Sequence, residues 1–242
     1  MSIQVLDIVD GNAFDVEHEK AIGVDAVIVK AGQGQLEYKW RSYIEQVKRA
    51  GLTWGLYWVV DARYSPESQK AALKASFPDG DFGPLGLWLD VEKPIIWMPE
   101  AIYKKLPYAF YKTIESIAQG MLGHSKTGVG IYTSPGQWQL CSGNVPKDKL
   151  EWFALLPLWT AQYKTIKPDL YGAWKSAVLW QYQGEPDYSI VQDEAWWAKK
   201  AGVPPTQVVT TPPAVVVVSS SSRPRIELHV TGDVEIQIVR ET

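Results

Sequence analysis

Gly86-Leu87-Trp88-Leu89-Asp90-Val91-Glu92 reads as a short strand with an unusual end. Side chains alternate across a strand, so Leu85, Leu87, Leu89 and Val91 point one way and Gly86, Trp88, Asp90 and Glu92 the other. One face is aliphatic. The opposite face delivers two carboxylates at the C-terminal end, and burying charge is costly unless it is paired or used. One reading is a strand that runs out into a polar loop. The other is a carboxylate pair at the C-terminal mouth of a barrel, where such folds keep their chemistry.

The flanking sequence supports the barrel. Strand patterns recur at residues 3–9, 24–31, 53–60, 128–133, 156–163 and 177–182. Between them, Trp40, Tyr43, Ile44, Val47 and Ala50 fall at helical spacing, with Gly51 as the stop. Ser65-Pro66-Glu67 opens a second helix, with a hydroxyl cap, proline at the first position and an acid in the first turn, and it runs to about Phe77. Residues 99–123 are helical in pattern, interrupted at Pro107. A last amphipathic piece covers 191–201 and ends at Gly202. Strand and helix alternate through the first 130 residues, which predicts a parallel sheet. Later strands have less helix between them, which fits a barrel that is regular at first and irregular afterwards. Gly32-Gln33-Gly34 lacks the rest of a dinucleotide fingerprint and reads as a tight turn.

The 242 residues are 46% hydrophobic and 21% charged, enough for one large α/β domain or two small ones. With 24 basic against 27 acidic residues the net charge is −3, which argues against nucleic-acid binding. Cys141 is the single cysteine, so no intramolecular disulfide or cysteine metal site is expected. His18, His124 and His229 lack metal-ligand spacing. The opening Met-Ser-Ile-Gln-Val-Leu-Asp has no signal-peptide character, and no run is long enough to span a membrane. The expectation is a product made in the cytoplasm, with no membrane partner. The 12 tryptophans and 12 tyrosines exceed ordinary use. Besides core packing, aromatics at a cleft suit the apolar faces of sugar rings.

Four acids stand at or just after strand ends: Asp7, Asp90, Glu92 and Asp187. If the strands are parallel in one barrel, these acids meet at one mouth. Such a cluster suits a cationic transition state, and it suits proton transfer, because like charges and burial raise carboxyl pKa values. Glycoside hydrolysis needs both. Acids at i and i+2 on one strand lie ~6–7 Å apart, between the retaining and inverting ranges.

These pieces together resemble the family 25 glycoside hydrolases, the muramidases of the Chalaropsis-lysozyme type. The matching motifs are Leu6-Asp7-Ile8, Ala26-Val27-Ile28-Val29-Lys30-Ala31, Ala50-Gly51-Leu52 with Gly55-Leu56-Tyr57, and Leu87 to Glu92. They continue with Gly130-Ile131-Tyr132-Thr133, Pro157 to Tyr163, and Trp180-Gln181-Tyr182 followed by Asp187. The resemblance covers about residues 3–197. It implies an irregular TIM-like (β/α)5(β)3 barrel and metal-free, cofactor-free hydrolysis of the β-1,4 bond between N-acetylmuramic acid and N-acetylglucosamine in peptidoglycan. Carried over by motif, Glu92 is the general acid and Asp90 its partner, which orients the substrate's N-acetyl group or stabilises the developing cation. Asp7 and Asp187 complete the cluster. Tyr57, Tyr132, Trp159, Tyr163 and Trp180 are implied as cleft residues. The sequence departs from the family in two places. Val9, followed by Asp10, stands where the family has Ser. The last motif reads Glu185-Pro186-Asp187-Tyr188-Ser189 where Gly and Asn are usual.

Two alternatives stay open. One is a catalytically silent barrel that binds cell wall, against which retention of all four acids argues. The other is a family 18 chitinase, whose longer acidic run finds Leu85 and Trp88 at two of its acid positions. An enzyme without a signal peptide fits endolysin-like release, or export by another route, to act on the wall.

Three segments are expected: a catalytic barrel over 1–202, a Pro/Ser/Val-rich linker over 203–225, and a β-hairpin over 226–242. In the last, Ile226, Leu228 and Val230 alternate with polar residues, as do Val234, Ile236 and Ile238. A lone hairpin is marginal in water. The expectation is that it associates with copies from other chains or docks on a wall or particle component.

Overall fold

The computed structural model describes residues 2–9, 14–36, 39–92, 107–143, 145–163 and 166–202, all within the first of the chain's two units, Met1–Pro205. The linker and hairpin expectations, Asp10, and residues 99–106 of the helix expected at 99–123 lie outside the described residues. The strands are β1 (Gln4–Ile8), β2 (Val24–Gln33), β3 (Gln35–Leu36), β4 (Thr53–Val59), β5 (Leu87–Asp90), β6 (Val129–Thr133), β7 (Leu158–Ala161), β8 (Leu179–Gln183) and β9 (Asp187–Val191). The described helices are α1 (Val16–Ala21), α2 (Trp40–Arg49), α3 (Pro66–Ser76), α4 (Pro107–Leu122), α5 (Pro135–Ser142), α6 (Lys147–Phe153) and α7 (Glu194–Ala201).

Parallel pairing runs from β1 to β2 and β4, then through β5, β6, β7 and β8. Strand β9 lies antiparallel between β8 and β1 and closes the sheet into a barrel. The fold is the irregular α/β barrel that the sequence predicts. Helix intervenes between successive barrel strands up to β7, whereas β8 and β9 are joined by a short turn. Strand β3 folds back on β2 through Gly34, whose φ is +64°. A Cβ there would collide with the Tyr64 ring, so the tight turn at Gly32-Gln33-Gly34 needs its glycine twice over.

Local signals set most boundaries. Ser65 caps α3 by accepting from Ser68 N–H, with Pro66 at the first position. Ser134 caps α5 in the same way, again with proline next. Pro107, where the helical pattern is expected to be interrupted, begins α4, since its missing N–H costs nothing in a first turn. The helix expected at 191–201 begins only at Glu194, capped by Asp193, and ends at left-handed Gly202. Val191 belongs instead to β9, a strand whose five residues are too short for its period to stand out.

Two apolar layers hold the barrel. The outer layer joins Leu87 and Leu89 of β5, and their counterparts on neighbouring strands, to the helices. In α4, Phe110, Ile114, Ile117, Ala118 and Met121 supply its side, all 1% exposed or less and spaced along one helical face. The inner layer contains Val5, Ala26, Ile28, Trp88, Trp159 and Leu179, with Trp197 of α7 packed against them. Gly130 makes room there, because a Cβ on it would collide with the Trp88 ring. Lys200 donates to the carbonyl of Thr127, just before β6, so α7 sits across the N-terminal end of the barrel. Leu85 corrects the simple alternation. Gly86, at φ +80°, turns the chain before β5 starts, and Leu85 joins the inner layer rather than the side of Leu87.

Candidate active site

The C-terminal ends of the parallel strands and the start of β9 share one mouth. Asp7 sits near the end of β1 and Asp90 ends β5. Asp187 reaches the same place by another route. It is the first residue of an antiparallel strand, so its N-terminal end lies where the parallel strands have their C-terminal ends, and it pairs in register with Asp7. Backbone contacts on both sides fix the segment carrying Asp90 and Glu92. Val60 N–H donates to Asp90 O at 3.0 Å, Val91 N–H donates to Tyr132 O at 2.8 Å, and the Thr133 hydroxyl donates to Val91 O at 2.6 Å.

The acids differ in environment. Asp90 is 6% exposed, and its Oδ1 has no hydrogen-bond partner. Burial, and then the charges of Glu92 and Asp7, push its carboxyl well above the usual aspartate range, while Lys30 on β2 pulls the other way. Asp7 is raised well above that range too, by burial first and by Asp187 next, with the Gln181 amide opposing. Asp187 is half-buried and raised by burial and by Glu185. Glu92, two residues past Asp90, is exposed. Asp7, Asp90 and the two tyrosines of the mouth all feel its charge. The mouth therefore offers an accessible carboxyl beside buried ones whose ionisation is suppressed, an arrangement suited to acid–base work. Among the described residues, no three His, Cys, Asp or Glu side chains group as metal ligands would.

The aromatic residues implied for the cleft divide. The Tyr132 hydroxyl donates to Gln181 Oε1 at 2.8 Å and belongs to the acid cluster. Tyr163, 66% exposed, stands at the rim with its hydroxyl 3.5 Å from the same oxygen. Tyr57 lies in the inner layer. Trp159 is buried within the barrel, its Nε1 donating to Ser189 Oγ at 2.9 Å and its ring edge-on to Trp88 and Tyr132. Trp180 points to the opposite face of β8 from Gln181, 5% exposed, with its Nε1 bonded to Gln162 O. The structure thus sets Tyr132 and Tyr163 beside the acids and surrounds Trp159 and Trp180 with protein.

Two participants escape the sequence reading. Gln181 bridges Asp7 and Asp187 through its amide nitrogen at 2.9 and 3.2 Å. Lys30 brings a cation to a mouth that reads as purely acidic in sequence. Both could have been found by one signal: a polar residue at an inward position near the C-terminal end of a barrel strand, in step with Leu179 and Ile28 respectively. A shallow cavity of about 400 Å³ lies elsewhere, before the N-terminal ends of β7 and β8, lined by Leu155, Leu156, Trp174 and Lys175. It touches none of the acids.

The fold is similar to that of several solved enzymes. A muramidase from Trichobolus zukalii aligns with TM-score 0.68 at 20% identity, over 83% of this chain and 99% of that one. A muramidase from Acremonium alcalophilum aligns with TM-score 0.67 at 22% identity, again over 83% and 99%. The bacterial lysozyme from Streptomyces coelicolor aligns with TM-score 0.67 at 17% identity, over 84% and 99%. No curated protein sequence matches the chain. The family model for glycosyl hydrolases family 25 matches residues 6–190, a span that includes all four acids of the mouth, and the chain belongs to that family.

Proposed function

We propose that this family 25 glycosyl hydrolase is an N-acetylmuramidase that cleaves the β-1,4 bond between N-acetylmuramic acid and N-acetylglucosamine in peptidoglycan. One observation carries the reading: an exposed Glu92 stands two residues from a buried Asp90, across the mouth from the paired Asp7 and Asp187. Pairs of carboxyls in contrasting environments divide acid from base and neutral from charged roles. Glu92 can reach substrate and protonates the leaving oxygen. Asp90, held rigidly with an unpartnered oxygen, orients the N-acetyl group or stabilises the oxocarbenium-like centre. Asp7 and Asp187, kept from full ionisation by burial and like charge, share what negative charge they carry on the opposite side. Tyr163 at the rim offers a ring face to a sugar. The similarity to solved muramidases and lysozymes supports peptidoglycan as the substrate, and action at the cell wall follows from it. In a silent wall-binding barrel, nothing would maintain a buried carboxyl with an unpartnered oxygen at this cost.

The test is mass spectrometry of fragments released from purified peptidoglycan, with chitin as the comparator. Soluble products with reducing-end N-acetylmuramic acid, and none from chitin, are expected. No release from peptidoglycan, or equal release from chitin, would overturn the assignment.

A further inference from the structure

Gln181 uses every hydrogen-bonding position that a glutamine has. Its Nε2 donates to Asp7 Oδ2 at 2.9 Å and to Asp187 Oδ1 at 3.2 Å. Its Oε1 accepts from the Tyr132 hydroxyl at 2.8 Å and lies 3.5 Å from the Tyr163 hydroxyl. The side chain is 2% exposed, so no solvent competes for these bonds.

The two tyrosines decide which way the amide faces. Burial first, and the surrounding acids next, raise both phenols above their ordinary value, so each stays a hydroxyl and a donor. A donor calls for the carbonyl end of the amide. That leaves both N–H bonds to face the carboxylates on β1 and β9. Hydrogen bonds to a carboxylate favour its charged form, in opposition to burial and like charge. Asp7 shows that opposition, since Gln181 lowers what burial and Asp187 raise.

We propose that Gln181 is a positioning residue of this active site: it holds Asp7 and Asp187 as one bridged pair and, through its two N–H donors, lets that pair carry negative charge opposite Asp90. The pair is faced by Asp90 and Glu92 from β5 and just beyond, by Tyr132 from β6, by Tyr163 beyond β7, and by Glu185 before β9, while Lys30 from β2 acts on Asp90. Support for charge on Asp7 comes first from the Gln181 amide and then from a backbone hydrogen bond. An aliphatic side chain of the same length would keep the packing and remove that support. A glutamate would keep the shape and place a third carboxyl where two donors are needed.

The inference rests on the muramidase reading for its kinetic readout alone, and a direct titration stands apart from it. Carboxyl ¹³C NMR would follow Asp7 and Asp187 through pH in the wild type and in Gln181→Met. The Asp7 midpoint should rise by about one pH unit when the donors are lost. On soluble peptidoglycan fragments, kcat should fall about 10–100-fold with KM within about twofold. The acid limb of the kcat profile should move to higher pH together with the Asp7 midpoint. If Gln181→Met does not fold, the isosteric Gln181→Glu serves, with the same direction expected at Asp7. A folded variant whose Asp7 and Asp187 midpoints match the wild type overturns the proposal, even if its activity is reduced. If the wild type releases nothing from peptidoglycan, the muramidase reading falls, and the titration alone decides the role of Gln181.

Discussion

Three strands of this barrel change character within two residues along one inward face. Val5 gives way to Asp7, Trp88 to Asp90 and Leu179 to Gln181. Two residues of strand advance ~6–7 Å, so a dry apolar layer lies directly beneath a polar mouth. The lower positions pack against one another and against Trp159 and Trp197. The upper ones hold carboxyls whose charged forms burial disfavours, one of them with an oxygen left unpartnered. The contrast separates two tasks. The floor stabilises the barrel, and the mouth draws on that stability to keep acids where water would otherwise solvate them.

The largest expected effect would break the mouth without touching the floor. Glu92→Gln should abolish wall lysis, a loss on the order of 10²–10⁴ in rate, while thermal unfolding stays near the wild-type midpoint, because Glu92 is exposed. Turbidity clearance by Glu92→Gln at near wild-type speed would remove it as the general acid.

The converse experiment breaks the floor. Leu179 is fully buried on the same strand and face as Gln181. Leu179→Ala should cost about 2–5 kcal/mol, with a fall in Tm of about 2–4 °C for each kcal/mol. The folded fraction should keep the wild-type shape of its pH–rate profile. A displaced profile would show that floor and mouth are not separable.

Asp90→Asn gives the smallest effect and has two readouts of opposite sign. Turnover should fall more than binding weakens, because the lost charge acts on the transition state. Stability should change the other way. A buried aspartate whose folded pKa is raised favours the folded state fully below its unfolded pKa, ~3.9, and that support is lost as pH rises through the folded value. Near neutral pH the wild type therefore carries a penalty that asparagine lacks. Tm should rise at pH 7, and the gain should disappear below about pH 4. Calorimetry at the two pH values checks both parts, and a variant less stable at pH 7 would contradict the direction of the Asp90 shift.

How much of this was legible depends on the range of the interaction. The α3 and α5 starts both follow from a serine followed by proline, although only Ser65-Pro66 was read as a start. Asp7 and Asp90 could be named from strand ends, since a charged residue at an inward position is conspicuous in an aliphatic strand, and Glu92 and Asp187 from their places just after strand patterns. Trp159 and Trp180 could not be sorted from Tyr132 and Tyr163, because an aromatic side chain looks the same in sequence whether it faces a cleft or a core.

By itself, then, the sequence determined the alternation of strand and helix through the first 130 residues, the aliphatic face of β5 and the presence of acids at or just after strand ends. These depend on periodicity and on capping within a few residues. The tertiary structure alone decided that Asp187 enters the mouth from the start of an antiparallel strand, that Gln181 joins it to Asp7 across 174 positions of chain, and that Lys30 faces Asp90. Those facts depend on how the barrel closes. Closure is set by the packing of all its strands together, so no local pattern encodes which distant side chains it will bring within hydrogen-bonding distance.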